Sequence, residues 1–312
     1  MAKVLVTGAA GFVASHLVDS LLSDGHEVIG IDNFSTGNQA NIAHLADNKN
    51  FTFAERDIVT GLGDLENVKF DQIFHLASPA SPPKYFKHPI ETMMVNSVGT
   101  KNCLDLATSD GSRFIYFSTS EVYGDPLEHP QNENYWGNVN PIGPRSIYDE
   151  AKRFGEALVA QYVRDKKVDG GIVRIFNTYG PRLDLFDGRV VSTFIRQARN
   201  REALTVNGDG SQTRSFCYVT DLVEGIFLMA KSSEFGPLNL GNPNEFTMIG
   251  LARKIIELTN SKSEIVYEEL PLDDPKSRRP DISLANKILN WVPKIDINDG
   301  INLSIDYFRK KI

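Results

Sequence analysis

Glu121 stands two residues after Thr119 in Ser118-Thr119-Ser120-Glu121-Val122-Tyr123-Gly124, directly past the apolar run Phe114-Ile115-Tyr116-Phe117. Thr119 together with Tyr148 and Lys152 forms a set able to oxidise an alcohol. The i, i+4 spacing of Tyr148 and Lys152 puts both side chains on one face of a helix. An ammonium near the phenol stabilises the phenolate, whose free pKa is about 10, so Tyr148 is the expected base towards a hydroxyl. Thr119 can hydrogen-bond the same oxygen as its charge changes. None of this chemistry requires a carboxylate, so Glu121 points to a second step. A tyrosine and a lysine at this spacing are common on ordinary helices, and the pair gains meaning only from the elements around it.

Those elements alternate. Val4-Leu5-Val6, Val28-Ile29-Gly30-Ile31, Phe51-Thr52-Phe53, Gln72-Ile73-Phe74, Phe114-Ile115-Tyr116-Phe117 and Gly171-Ile172-Val173-Arg174-Ile175 read as strands. Helical spacing links them at Val13, Leu17 and Leu21, and at Met94, Val98, Leu104 and Ala107, and a helix is expected from about Ile147 to Arg164. Successive βαβ units predict an α/β fold with a doubly wound parallel sheet of Rossmann type. After Asn177 proline, arginine and glycine become frequent, and turn-rich stretches such as Asn207-Gly208-Asp209-Gly210-Ser211 separate short strands. The expected division is a dinucleotide-binding domain over 1–176, rejoined by about 217–240, and a smaller C-terminal substrate-binding lobe made mainly of 177–312.

Gly8-Ala9-Ala10-Gly11-Phe12-Val13-Ala14 follows the first strand and opens the first helix. Gly8 permits a tight turn, Gly11 lets backbone approach a pyrophosphate, and the helix start supplies partial positive charge, with Phe12 and Val13 its first residues. Alanine replaces glycine at the third position, where a methyl can still pack on the strand. Asp32 and Asn33 end the second strand, 24 residues beyond Gly8. A carboxylate there accepts from a ribose 2′-hydroxyl and repels a 2′-phosphate, which favours NAD over NADP. Asp57 and Ile58 follow the third strand and are candidates for the adenine side, although an aspartate in that place is as often a turn residue. Leu76 completes the expected cofactor contacts.

With 33 basic and 40 acidic residues the chain carries a formal charge of −7, which disfavours nucleic acid and anionic membrane surfaces as partners. An anionic ligand must be met by local positive groups. Cys103 and Cys217 lack metal-ligand spacing, the six histidines are scattered, and no metal is expected. No apolar stretch reaches membrane-spanning length, and Met1-Ala2-Lys3 leads straight into a strand, so the expectation is a soluble cytoplasmic protein.

With these motifs in order, the chain resembles the extended short-chain dehydrogenase/reductase family of nucleotide-sugar enzymes over nearly its whole length. The resemblance implies a Rossmann domain holding NAD, a Thr119, Tyr148 and Lys152 catalytic set, and a homodimer. Further segments look like the UDP-glucuronate decarboxylase branch: His75 to Pro83, Ser118 to Gly124, Pro141-Ile142-Gly143-Pro144-Arg145, Arg174 to Arg182, Asp187 to Val191, Gly208 to Phe216, and Asp273 to Asp281. This likeness implies that Asn177, Arg182, Arg189 and Arg214 hold a nucleotide diphosphate, that Lys84 and Tyr85 approach the sugar, and that Arg278 acts near its carboxylate. Guanidinium forks suit phosphate on physical grounds as well, although each arginine alone is better explained as a solvated surface charge.

The implied reaction on UDP-glucuronate begins with oxidation at C4. The C6 carboxylate is then β to a ketone and can leave as carbon dioxide; protonation at C5 and return of hydride to C4 give UDP-xylose with no net use of NAD. Glu121 and Arg278 are the candidates for the middle step. Four other readings compete. A nucleotide-sugar 4-epimerase uses the same oxidation but gives Glu121 no task, and a decarboxylase can instead release the 4-keto pentose. A 4,6-dehydratase would call for Asp-Glu where this chain has Ser120-Glu121. A non-catalytic NAD-binding sensor would bind the cofactor without turnover of any sugar.

Overall fold

The computed structural model describes residues 1–270, 275 and 277–309, so Asp273, Asp274 and Lys276 of the charged C-terminal segment lie outside the described residues. Six strands, β1 (Lys3–Thr7), β2 (Glu27–Asp32), β3 (Phe51–Glu55), β4 (Gln72–His75), β5 (Arg113–Thr119) and β6 (Asp169–Ile175), coincide with the six apolar runs. Leu238–Leu240 joins them beside β6, and the sheet of seven runs in the order β3-β2-β1-β4-β5-β6 and then Leu238–Leu240. Every pairing is parallel.

Alternate side chains enter opposite cores, as the two-residue period of a strand demands. Val4, Val6, Phe74, Ile115 and Phe117 pack on one face with the helix Phe12–Ser23 and the helix Val219–Lys231. Leu5, Ile73, Phe114 and Tyr116 pack on the other with Thr100–Asp110 and Ser146–Arg164. The chain moves outward from β1 to β2 and β3, then returns to the opposite side of β1 with β4. That reversal opens a crevice at the carboxyl ends of β1 and β4, the place where such sheets bind ligands.

The helix Ser146–Arg164 lies close against β5 because residue 155 is glycine: a Cβ there would come within 2.0 Å of the Tyr116 hydroxyl. This close approach lets Lys152 reach β5 across the same interface. A third apolar cluster forms between the helices Val190–Asn200, Met248–Thr259 and Ile297–Arg309. Beside it a three-stranded sheet sets Thr213–Ser215 between Glu245–Thr247 and Ser277–Arg278, and its register places Arg278 opposite Arg214. Among the described residues no helix is long and apolar enough to cross a membrane.

Candidate active site

The glycine loop is held in shape from beneath. Gly8 has φ +70°, and a Cβ on it would lie 2.8 Å from the Ala77 Cα, so only glycine fits. Below it, the Thr7 hydroxyl pairs with His75 Nδ1 at 2.8 Å, and His75 Nε2 meets the Thr100 hydroxyl at 2.9 Å. Burial, reinforced by the Lys152 charge, lowers the His75 pKa to about 3, which keeps this support neutral. The helix Phe12–Ser23 starts at Gly11 with no side-chain cap and no acidic residue in its first turn. An anion such as a pyrophosphate fits there.

Asp32 is almost fully buried, and its carboxylate accepts the Ala10 amide at 3.0 Å and the Phe34 amide at 2.8 Å. It therefore ties the glycine loop to the end of β2, and each oxygen keeps a lone pair for a further donor. Burial raises its pKa, while these amides and that of Asn33 oppose the rise. Asn33 donates to Asp57 at 3.2 Å, and Asp57 also accepts the Val59 amide at 2.9 Å, forming a turn. Ile58 is buried against Gly99, and its carbonyl accepts from Asn102 at 2.8 Å. None of these four lines the main cavity.

That cavity, about 680 Å³, runs from Gly8, Gly11, Phe12, Val13 and Leu76 past Thr119, Glu121, Tyr148 and Lys152 to Asn177, Arg189, Arg214 and Arg278. Lys152 donates to the Phe117 carbonyl at 2.8 Å and lies 5.9 Å from the centre of the Tyr148 ring. Burial brings Lys152 down to about 7, opposed by Glu156. Tyr148 departs from the sequence-based expectation: burial first, and then the Glu121 charge, push its phenol up, whereas its hydrogen bond with Thr119 and the Arg189 charge pull it down. The nearby lysine does not by itself make a phenolate. Tyr85 stacks flat on Tyr148, with ring centres 5.3 Å apart and planes 3° from parallel, and its own hydroxyl is buried without a partner.

Glu121 sits between two guanidiniums. Arg278 bonds one carboxylate oxygen, and Arg145 bonds the other at 2.6 Å. Arg278 also donates to the Gly124 carbonyl at 3.3 Å. Burial alone would raise the Glu121 pKa; the charges of Arg278 and then Arg145, with their hydrogen bonds, hold it well below the usual carboxylate range. Three elements meet in this clamp: the short helical turn after β5, the residue capping the Ser146–Arg164 helix, and the strand Ser277–Arg278.

The remaining expected sugar-side residues divide. Arg189 caps the helix Val190–Asn200 and pairs with Asp187. Arg214 donates to the Thr213 carbonyl at 2.8 Å and to the Pro275 carbonyl. Lys84 lies outside the cavity wall, 3.2 Å from Asp184 and 3.7 Å from Asp187. Arg182, at φ +67°, turns away to Asp19 at 2.5 Å and likewise is not a wall residue. Sequence reasoning passed over Arg145 and the supporting His75. The position of Arg145, directly before the helix that carries Tyr148, was the available signal. Arg196 and Glu268 also line the cavity, so its charged wall residues are Arg145, Arg189, Arg196, Arg214, Arg278 and Lys152 against Glu121 and Glu268.

The clamp predicts a pH-dependent stability. Glu121→Gln removes the anion between the buried Arg278 and the half-buried Arg145 and should lose about 3 kcal/mol at neutral pH in urea denaturation, the low end of what breaking a buried pair costs. Because the folded-state pKa of Glu121 is depressed, its contribution is present above the unfolded value and fades as pH falls towards the folded one. Native and variant stabilities should therefore converge in acid; a constant gap would contradict the clamp.

The family model for the NAD dependent epimerase/dehydratase family matches residues 4–241. UDP-glucuronic acid decarboxylase 1 of Arabidopsis thaliana is 51% identical over 310 residues, covering 99% of this chain and 70% of that protein. UDP-glucuronic acid decarboxylase 6 of the same plant is 49% identical over 311 residues, covering 99% and 90%. Among solved structures, UDP-glucose 4-epimerase with UDP-glucose from Thermotoga maritima aligns at TM-score 0.90 and 29% identity over 99% of both chains. UDP-glucuronic acid 4-epimerase from Bacillus cereus, in complex with UDP-glucuronic acid and NAD, aligns at TM-score 0.89 and 29% identity over 99% of this chain and 100% of that one. The match extends over nearly the full chain, and the chain belongs to the NAD dependent epimerase/dehydratase family, in its UDP-glucuronic acid decarboxylase branch.

Proposed function

We propose that the protein converts UDP-glucuronate to UDP-xylose and carbon dioxide, with NAD as a cofactor that is not consumed. The observation that carries this reading is the Arg278–Glu121–Arg145 clamp at the wall of the cavity that holds Thr119 and Tyr148. Gly8, Gly11, Phe12 and Val13 hold the cofactor pyrophosphate, Asp32 its ribose, Asn33, Asp57 and Ile58 its adenine side, and Leu76, Tyr148 and Lys152 its reactive end. When bound, NAD accepts hydride from C4 and later returns it, and in its oxidised form it adds positive charge to the site. In this scheme 1–176 with 217–240 serve the cofactor and 177–312 mainly the nucleotide sugar. Asn177, Arg189 and Arg214 meet the diphosphate; Arg182, expected there, is instead paired with Asp19, Lys84, expected at the sugar, instead shares Asp187 with Arg189, and Tyr85 positions Tyr148 at the sugar.

Tyr148 takes the C4 hydroxyl proton, with Thr119 hydrogen-bonded to the same oxygen. Once C4 is a ketone, the C5–C6 bond can break with its electron pair passing to the C4 oxygen, which Tyr148 and Thr119 hold. A carboxylate that becomes neutral carbon dioxide must not be bound too tightly as an anion, since only stronger binding of the transition state accelerates the step. Glu121 offsets the charge of the two guanidiniums, so Arg278 orients the C6 carboxylate without trapping it. Proton addition at C5 and reversal of the first step complete UDP-xylose.

A 4-epimerase reading draws support from the fold likeness, but rotation of a keto sugar leaves the clamp without a task. The assay that separates the readings supplies UDP-glucuronate with catalytic NAD⁺ and follows carbon dioxide, sugar product and NADH. Carbon dioxide and UDP-xylose without stoichiometric NADH are expected. An epimer without carbon dioxide would overturn decarboxylation, and stoichiometric NADH would indicate release of the 4-keto pentose. Tyr148→Phe should lower kcat by about 10²–10⁴-fold, whereas Glu121→Gln should accumulate UDP-4-keto-glucuronate.

A homodimer is part of the same reading. Ile90, Met93, Met94 and Phe154 stand exposed on the adjoining helices Pro89–Met94 and Ser146–Arg164, a surface suited to a second copy of this chain. Light scattering should find a dimer that Ile90→Glu with Phe154→Glu converts to monomer; a native monomer would contradict this. The buried, unpaired Cys103 and Cys217 suit a reducing compartment, and a cytoplasmic location completes the reading.

A further inference from the structure

Loss of carbon dioxide from a carboxylate followed by formation of a C5–H bond consumes one proton per turnover. The C5–C6 electron pair passes to the C4 oxygen, then returns to C5 as the proton adds, and the group that gave the proton must be recharged from solvent. Among the described residues of that site, only Lys152, brought down to about 7 by burial, could release a proton near neutral pH, and it is held by the Phe117 carbonyl at 2.8 Å beside Tyr148. Glu121 is held ionised by two guanidiniums, and neither arginine releases a proton near neutral pH. The proton on Tyr148 came from the C4 hydroxyl and must return there when C4 is reduced.

Behind the clamp lies a second cavity of about 260 Å³, walled by Asp149, Glu121, Arg145 and Arg278 with polar loop residues such as Asn138. The last three of those four charged residues also wall the main cavity, so the clamp is the partition between the two. Asp149 follows Tyr148 on the same helix, about 100° further round, and so faces the rear space instead of the sugar. It is 5% exposed, and its Oδ1 is buried with no hydrogen-bond partner. A polar space of this size holds roughly eight waters at about 30 Å³ each.

We propose that Asp149, acting through water in the rear cavity, is the proton relay that supplies C5 during decarboxylation and is recharged from solvent. The proposal rests on the decarboxylation reading. An isolated buried carboxylate is unstable as an anion, whereas a protonated one can wait for the intermediate. Among the described residues, the charged and titratable groups around it are Glu121, Arg145, Arg278, Glu150, Tyr85, Tyr148 and Asp125. Burial first, and then Glu121, raise the Asp149 pKa to about 7 against the pull of Arg145 and Arg278. It can thus carry a proton at neutral pH and give it up.

The test compares the native enzyme with Asp149→Asn and Asp149→Glu, using UDP-glucuronate and NAD⁺. Because the protonated form is the active one, native kcat for UDP-xylose should fall as pH rises through about 7. Asp149→Asn should lose that limb and about 100-fold in kcat, with KM unchanged. In a single turnover it should form NADH at the native rate and then hold it, because the re-reduction waits for C5 protonation; Asp149→Glu should recover activity and restore a titrating limb. An Asn variant that keeps the native limb and rate overturns the relay. So does one whose NADH formation falls in step with kcat while Asp149→Glu fails to recover, which is the pattern of a merely structural residue. Native enzyme that releases no carbon dioxide would fail the underlying reading, a result separate from both.

Discussion

The rest of the active site depends on one half-buried anion held between two cations. Glu121 gathers three parts of the chain that are far apart in sequence: the turn after β5, Arg145 at the start of the Tyr148 helix, and Arg278 from the C-terminal strand. Burying three charges has a large desolvation cost, and replacement by apolar groups of the same shape would commonly match or exceed the stability of such a cluster. Its presence is therefore better understood through what it orients. Glu121 holds Arg278 at the cavity wall, Arg145 stands directly before the helix that carries Tyr148, and the register sets Arg278 beside Arg214.

The same clamp explains how an acidic protein can receive a polyanionic substrate. Net charge of −7 repels anions at long range, yet the cavity wall carries more guanidinium than carboxylate. A wall that is cationic overall suits an anionic ligand such as a diphosphate, and in the proposed reaction the Glu121 carboxylate would keep that positive field from stabilising the group that has to leave. Electrostatics thus separates binding at one end from chemistry at the other.

Much of the framework was legible in the sequence because it follows from local rules. Each of the six strands β1 to β6 carries β-branched or aromatic residues, Gly8 sits at a positive φ where a Cβ would clash, and Tyr148 and Lys152 share a face by spacing alone. What escaped reading depends on contacts between distant residues. Arg145 owes its role to Glu121, 24 residues upstream and brought near by the sheet. Arg182 turns to Asp19, a partner 163 residues away, and Lys84 to Asp184 and Asp187. Spacing says nothing of burial or of the Glu121 charge, and these two push the Tyr148 phenol up against the hydrogen bond with Thr119 and the Arg189 charge.

The most direct test of the clamp is the protonation state of Glu121 itself. Protein labelled with ¹³C at the glutamate carboxyl carbon can be titrated by NMR, and the resonance missing from Glu121→Gln assigns the residue. The account predicts a carboxylate shift that stays constant from neutral pH down through the ordinary glutamate range, about pH 4. Titration of that resonance with a midpoint at or above the ordinary value would show that the two guanidiniums do not hold Glu121 as a fixed anion, and would contradict the account.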